Sequence, residues 1–235
     1  MARTINEQEY AQRRNAILDA TQQLVETKGY EQMTIQDILD ALQISKGAFY
    51  YYFDSKVVLL EALVERGGER IEQLVLPIIH DRSIGALEKL QRFFATLDQE
   101  KIAHKRFVLA FLRVWYDDEN AIVRHKLYRA RVKRFTPWLS QIIQEGVEEG
   151  VFTTPYPDQA ARMIMSLLED LGYATVELLL SEEREPSDLP RLQRSVVACA
   201  DALERVLGAP AGCLQYATRE ELEVWLVPPT PPKEE

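Results

Sequence analysis

Apolar residues recur at intervals of three and four positions along nearly the whole chain, which is the spacing of an amphipathic α-helix. Alternation with a period of two, which would indicate half-buried strands, is almost absent. The pattern and its glycine and proline interruptions predict an all-α fold. Its helices are expected over residues 9–28, 34–41, 45–52, 54–75, 84–101, 104–116, 121–149, 158–181, 188–208 and 216–226.

Start and stop residues mark the first helix boundaries. Gly29 suits the left-handed conformation that often ends a helix. Thr34, followed three residues later by Asp37, matches a capping box at the start of the second helix. Ser45 is the expected cap of the third helix. The first third of the predicted fold is therefore a set of short helices with well-defined ends.

The predicted helices fall into three parts. Residues 1–56 form an N-terminal three-helix domain, and a long fourth helix joins it to a larger helical domain over residues 57–215. Residues 216–235 combine a short helix with a Pro-rich, charged tail that we expect to be disordered. Gly67 and Gly68 lie inside the fourth helix, where each costs about 1 kcal/mol relative to alanine. They predict a flexible joint, and close packing against another helix is the alternative.

Residues 34–41 and 45–52 have the dimensions of a helix-turn-helix, in which two short helices are joined by three residues and the second lies in the DNA major groove. Phe49 and Phe53 are four residues apart and are expected to face the core. The three tyrosines at 50–52 cannot all share that face. Exposed tyrosines favour contact with another molecule, which the motif indicates to be DNA; a purely structural role is the alternative.

The residues around the tyrosines suit a surface that lies close to DNA. Ser45 opens the helix, where backbone N–H groups without helical partners favour a phosphate. Gly47 and Ala48 are small enough for the helix to approach base edges, and an alanine methyl can touch a thymine methyl. Tyrosine hydroxyls reach phosphates, and Lys46 and Lys56 add charge-assisted contacts.

The stretch MTIQDILDALQISKGAFYYYFDSKVVLLEALV at residues 33–64, preceded by RNAILDATQQLVETKGY at residues 14–30, resembles the DNA-binding domain of the TetR family of bacterial transcriptional regulators. The resemblance covers about residues 10–65. Gln43 departs from it, because the family usually has glycine in that turn. The rest of the chain is similar to the family in the number and length of its helices.

The resemblance implies a homodimer that binds a near-palindromic operator in double-stranded DNA and usually represses nearby genes. It implies phosphate contacts by Thr34, Ser45, Tyr50, Tyr52 and Lys56. It implies base recognition by Lys46, Gly47, Ala48 and Tyr51. A helical module that uses the tyrosine-rich helix to bind a protein partner is the alternative function, since tyrosine is also enriched at protein interfaces.

Two predicted helices near the C-terminus, at 160–180 and 189–207, are apolar over more than one face and must bury more than one stripe. A helix-turn-helix that reads two half-sites needs a twofold axis, so we expect these helices to form a four-helix dimer interface. Burial within one chain is the alternative. The candidate interface residues are Leu168, Leu171, Gly172, Thr175, Leu178, Val196, Ala200 and Leu203.

Large aromatic residues are concentrated on the helices between the two ends of the chain. Pro137 interrupts one of these helices and removes a backbone hydrogen bond. Aromatic side chains around such a kink can leave room for a small apolar or amphipathic effector, and core packing is the alternative for each residue. The candidate pocket residues are Phe107, Phe111, Trp115, Tyr128, Phe135, Trp138, Met163 and Tyr173.

Net charge changes the expected mode of DNA binding. The chain carries −9 overall, and residues 1–56 hold six basic and eight acidic side chains, a net of −2. Such a domain must bind DNA largely through helix dipoles, neutral hydroxyls and a few lysines. We therefore expect a shallower salt dependence than that of a basic DNA-binding protein.

Several classes of function are not expected. The sequence has no Gly-rich phosphate loop, nucleophile elbow or Cys–His cluster, so we expect neither an enzyme nor a metal or other cofactor. The three acids at 117–119 could hold a divalent cation but are more typical of residues before a helix N-terminus. The chain has no apolar run of membrane-spanning length and no export signal, which favours a cytoplasmic protein without a membrane partner.

Overall fold

The computed structural model describes residues 2–227, apart from residues 117–119, 182, 184, 215 and 216; for residues 2–6 it describes the backbone only. Within that part the chain contains ten α-helices and no strand. They are α1 (Ala2–Lys28), α2 (Ile35–Leu42), α3 (Lys46–Tyr50), α4 (Lys56–His80), α5 (Ala86–Ala103), α6 (Lys105–Trp115), α7 (Ala121–Glu148), α8 (Pro157–Leu180), α9 (Asp188–Leu207) and α10 (Arg219–Leu226).

The prediction of an all-α fold is confirmed, and most helix ends lie within a few residues of those that the periodicity indicated. The largest difference is α1, which begins at Ala2 rather than near Glu9. Residues 7–13 are exposed, so the beginning of this helix has no apolar stripe to mark it in the sequence. The predicted disordered tail after residue 227 and the acids at 117–119 lie outside the described residues.

The predicted caps of α1 and α2 are confirmed. Gly29 ends α1 with φ +80°. At α2 the Thr34 hydroxyl oxygen accepts a hydrogen bond from the Asp37 N–H (3.1 Å), while the Thr34 N–H donates to the Asp37 carboxylate (2.8 Å). Hydrogen bonds from the Lys28 ammonium and from Thr34 lower the pKa of Asp37 to about 2. The start of α2 is therefore set by the residues that the capping-box pattern identified.

The turn between α2 and α3 contains a residue in the left-handed region. Gln43 has φ 52° and ψ 42° and forms the C-terminal cap of α2. Its N–H donates to the Asp40 carbonyl at 3.4 Å. A side chain in this region costs about 1 kcal/mol, which glycine avoids. The position that departs from the family pattern therefore does adopt a glycine-like conformation.

The described residues form two compact units. One comprises residues 2–68 with 106–124, and the other comprises residues 69–105 with the part of the chain from 125 onward. The boundary between the units falls within α4, directly after the two glycines of the predicted joint. A Cβ on Gly67 would meet no described atom within 4 Å, so close packing does not account for this glycine. The functional boundaries expected after residues 56 and 215 stay a prediction.

The first unit has one apolar core, which we call the N-terminal core. It packs the helix-turn-helix against α1, α4 and α6. Helices α1, α2, α3 and the start of α4 contribute most of its side chains, and α6 adds Val114 together with the partly buried Phe107 and Phe111. The Arg66 guanidinium ties α4 to α1 through Asp19 (2.6 Å). The fully buried members are Ile17, Leu18, Val25, Met33, Ile38, Phe49, Phe53 and Leu59.

The second unit is built from the end of α4 and from α5, α7, α8 and α9. Phe93, Phe135 and Phe152 lie in its core. Gly146 of α7 is required here, because a Cβ would come within 2.2 Å of the Phe152 ring. Helix α10 covers a smaller apolar cluster on α8 and α9 through the buried Leu222.

None of the described helices is both long enough and apolar enough to span a bilayer.

Replacement of Gln43 by glycine should stabilise α2 and α3. We expect a gain of about 1 kcal/mol in their opening free energy, because glycine takes the left-handed conformation without steric cost. The matched control is Ala41→Gly, two residues earlier in the helix, which should lose roughly 0.5–1 kcal/mol. Amide hydrogen exchange at Ile38 and Phe49 measures both changes. A loss of stability in both variants would contradict the assigned conformation.

Candidate DNA-binding surface

Helix α3 is seated by its N-terminal cap and by one buried face. The Ser45 hydroxyl oxygen accepts a hydrogen bond from the Ala48 N–H at 3.2 Å. Phe49 and, one turn later, Phe53 are buried in the N-terminal core, as their spacing predicted. With that face fixed, Tyr50 and Tyr51 turn outward.

The opposite side of α3 faces solvent. Ser45, Lys46 and Gly47 are exposed at the start of the helix. At its end Tyr50 is 40% and Tyr51 70% exposed. The Ser45 cap uses an oxygen lone pair and leaves the hydroxyl proton for an outside acceptor. This surface therefore offers hydroxyl donors, one ammonium group and two aromatic rings around a helix of small residues.

Gly47 has no role inside the chain that requires glycine. Among the described atoms, a Cβ at this position would meet only the Ser45 Oγ, at 4.0 Å, and the backbone φ is not in the positive region. Glycine in a helix is less stable than alanine by roughly 0.5–1 kcal/mol. Gly47 therefore lowers the stability of α3 without relieving any crowding among the described atoms.

Two predicted phosphate contacts are engaged within the chain. Thr34 donates both its N–H and its hydroxyl to Asp37, so its hydroxyl reaches a phosphate only by giving up its hydrogen bond to that carboxylate. The Lys56 ammonium donates to the Glu31 carbonyl (3.3 Å) and lies 4.2 Å from the centroid of the Tyr30 ring. Burial lowers the pKa of Lys56. Two of its three N–H donors remain for an outside partner.

Tyr52 and Tyr51 contact a residue to which the sequence analysis assigned no role. Tyr52 is partly buried against the N-terminal core. The centroid of its ring lies 4.8 Å from that of Tyr10 in α1, and the Tyr10 ring is also 5.8 Å from Tyr51. Tyr10 belongs to no apolar stripe and lies about 40 positions before Tyr51 in the chain, so no periodicity in the sequence reveals this contact.

The eight candidate pocket residues are distributed over both units. Phe107 and Phe111 pack on the N-terminal core, and the rings of Phe107, Phe111 and Trp115 follow one another along α6 with centroids 6.1 and 5.1 Å apart. Phe135 is buried in the core of the second unit, and the centroid of the Trp138 ring lies 5.3 Å from that of Phe135. These contacts are those of core residues.

The other three pocket candidates reach the surface of the second unit. The Tyr128 hydroxyl lies 3.3 Å from the Ser166 Oγ. Met163 and Tyr173, both on α8, are about half exposed. The structure therefore does not gather all eight residues into one site, and the effector pocket stays a prediction.

The candidate dimer residues also divide into two groups. Leu168, Leu171 and Gly172 are partly exposed on α8. The five others are already buried within the single chain, and so they have little area to offer a partner. These five are Thr175, Leu178, Val196, Ala200 and Leu203.

The described residues contain no grouped metal ligands, and the two cysteines are not paired with each other. Among the described residues, no three His, Cys, Asp or Glu side chains are grouped to hold a metal ion. Cys199 and Cys213 are free thiols. Burial raises the pKa of Cys199 to about 11, so this thiol is protonated at neutral pH.

Two family models match the chain. Residues 17–63, which include α2, α3 and the start of α4, match the model of bacterial regulatory proteins of the tetR family. Residues 115–183 match the model of a tetracyclin repressor-like C-terminal domain.

Similar proteins agree with these matches. The HTH-type transcriptional repressor DhaR of Mycobacterium sp. (strain GP1) is 25% identical over 177 residues, which are 75% of this chain and 86% of DhaR. The HTH-type transcriptional repressor KstR2 of Mycolicibacterium smegmatis is 25% identical over 175 residues, 71% of this chain and 78% of KstR2. A transcriptional regulator from Cytophaga hutchinsonii has a similar fold, with a TM-score of 0.63 and 19% identity over 80% of this chain and 95% of its own.

The relatives are transcriptional regulators rather than enzymes, and the matched N-terminal residues carry the exposed surface of α3. The chain belongs to the TetR family of bacterial transcriptional regulators and is a DNA-binding regulator.

Proposed function

We propose that this chain is a cytoplasmic repressor that binds a near-palindromic operator as a homodimer, with α3 of each subunit in a major groove. Base edges are read by Lys46, Gly47, Ala48 and Tyr51, and phosphates are held by Ser45, Tyr50, Tyr52 and Lys56. We leave Thr34 to its capping role, since both of its donors serve Asp37. Gly47 carries the proposal, because open space surrounds it on an exposed helix face.

Substitution of Gly47 separates folding from DNA binding. Gly47→Ala should leave stability unchanged or raise it by up to about 1 kcal/mol, because the new methyl meets no crowding inside the chain. The same methyl should lower operator affinity by about 10-fold or more, since it holds the helix away from the bases. Selection of bound sequences from a random DNA pool defines the operator, and anisotropy titrations and urea unfolding give the two free energies.

The matched control is Gly67→Ala, which also adds a methyl to an exposed helical glycine with no described atom near it. That variant should select the same operator sequence as the unmodified chain. Unchanged affinity and preference in Gly47→Ala would contradict base contact at this position. If the unmodified chain enriches no DNA at low salt, a protein partner for the tyrosine-rich helix becomes the better proposal.

Salt dependence tests how the surface holds phosphates. Lys56 is the cation that we place on a phosphate of each half-site, and Lys46 brings a second positive charge to the same groove, so a dimer neutralises about two to four phosphates. The logarithm of operator affinity should therefore fall with the logarithm of salt concentration with a slope of about −2 to −4. Titrations between low and physiological salt measure this slope. A slope of about −10 would show that other cations carry the binding.

The dimer interface that we propose uses the exposed sides of α8 and α9. Tyr173 and Ala174 lie on the exposed side of α8, and Val197 and Ala198 on that of α9. Val197 is 60% exposed in the single chain. The two helices pack on each other, so these positions belong to one layer of the second unit. Leu168, Leu171 and Gly172 add partly exposed surface to the same helix pair.

Val197→Asp should convert the dimer to a monomer without unfolding it, because a charge on an exposed position is costly only where a partner buries it. Operator affinity should fall at the same time, since a monomer holds one half-site. Analytical ultracentrifugation and operator titration measure the two effects. Ile122→Asp is the control, as Ile122 is 74% exposed on α7. Dissociation by the control but not by Val197→Asp would place the interface elsewhere.

The effector that we propose is a small apolar or amphipathic molecule held by the second unit. Phe135 and Trp138 supply aromatic surface there, and the Tyr128 hydroxyl beside Ser166 supplies a polar group. Gly67 supports a flexible joint, because it weakens the middle of α4 directly before the boundary between the units.

A further inference from the structure

Three tyrosine rings contact one another at the C-terminal end of α3. Tyr10 of α1 lies with its ring centroid 5.8 Å from Tyr51, at an interplanar angle of 74°. It lies 4.8 Å from Tyr52 at 41°, and Tyr51 and Tyr52 are 5.1 Å apart at 88°. The two contacts of Tyr51 have distances and angles at which aromatic rings attract each other edge to face, and the Tyr10–Tyr52 pair is tilted. The ring of Tyr51 is therefore contacted on two sides although it is largely exposed.

Tyr10 is held in place by the same core that seats α3. Ile17 and Leu18, two turns further along α1, are buried in that core. The Arg14 guanidinium lies 5.2 Å from the centroid of the Phe53 ring. A continuous helix thus connects the buried part of α1 to Tyr10, so the backbone at Tyr10 is held by the core and does not depend on the contact with Tyr51.

We propose that Tyr10 is a positioning residue that determines base specificity by holding the Tyr51 ring in one orientation. The proposal rests on base reading by Tyr51 in the function proposed above. An exposed tyrosine at a helix end has several rotamers, and ordering it on binding costs free energy. Contact with Tyr10 removes that cost before DNA arrives, and it disfavours orientations that would suit other bases.

Tyr50 provides an internal comparison. It is also exposed, but the centroid of its ring lies 5.4 Å from that of Phe49 and 6.0 Å from the Lys46 ammonium nitrogen, and both residues are on its own helix. Tyr50 therefore serves as the matched comparison for Tyr51, because Tyr10 contacts Tyr51 and is not expected to act on Tyr50.

The test begins with the base that Tyr51 reads. Random-pool selection with the unmodified chain and with Tyr51→Ala identifies the operator position at which preference changes. Affinities are then measured for the preferred operator and for variants of each base pair. In Tyr10→Ala, discrimination at the Tyr51 position should fall by about 2- to 10-fold, the worth of one aromatic pair, while other positions keep theirs.

Two further variants show that the ring is responsible. Tyr10→Phe retains the ring and should restore discrimination to that of the unmodified chain. Tyr10→Leu retains apolar bulk and a strong helix former, so it should lose discrimination as Tyr10→Ala does even if alanine loosens the start of α1. Circular dichroism confirms that each variant is folded.

Double substitutions measure the coupling directly. Tyr10→Ala should have no further effect on discrimination at the Tyr51 position once Tyr51→Ala is present, whereas its effect there should persist in full beside Tyr50→Ala. A uniform loss at every operator position, or full multiplication with Tyr51→Ala, would overturn the proposal and assign Tyr10 a general or direct role in DNA contact. If Tyr51→Ala leaves base preference unchanged, base reading by Tyr51 fails, and the role of Tyr10 fails with it.

Discussion

Burial of two phenylalanines one turn apart is the constraint on which the DNA-binding surface depends. Phe49 and Phe53 are both within 1% of complete burial in the N-terminal core. Each contributes about 1.5–3 kcal/mol through removal of apolar surface from water. A five-residue helix has too few backbone hydrogen bonds to be stable alone, so this anchoring fixes which side of α3 faces outward. The exposure of Ser45, Lys46, Gly47 and Tyr51 follows from it.

The outward side of α3 contains features that packing alone does not favour. Gly47 weakens a helix that has room for a larger side chain, and Tyr51 leaves most of its ring in water. Gln43, in the preceding turn, occupies a conformation better suited to glycine. These features lie within ten residues of one another, whereas Phe49 and Phe53 on the buried side of the same segment are packed in the core as their spacing predicts. Such local conflicts are expected where a surface serves a partner.

The packing of α6 and α10 alters how the C-terminal part of the chain can function. Helix α6 contributes Phe107 and Phe111 to the N-terminal core, so these rings stabilise the DNA-binding unit itself. Helix α10 places Leu222 on α8 and α9 and covers apolar residues that would otherwise be open to a second subunit. The apolar surface left for the proposed dimer interface is therefore smaller than the apolar girth of these two helices suggested.

The sequence by itself determined the elements and the recognition segment, because those signals are local. A capping box needs residues three apart, as Thr34 and Asp37 are, and a helix face needs a period near 3.6, which the spacing of Phe49 and Phe53 follows. Periodicity states that a helix has an apolar face but not what covers it. Only the tertiary structure decided that α6 completes the N-terminal core, that Leu178 and Val196 are buried by their own chain, and that Tyr10 meets Tyr51, since each of these contacts joins residues far apart in the chain.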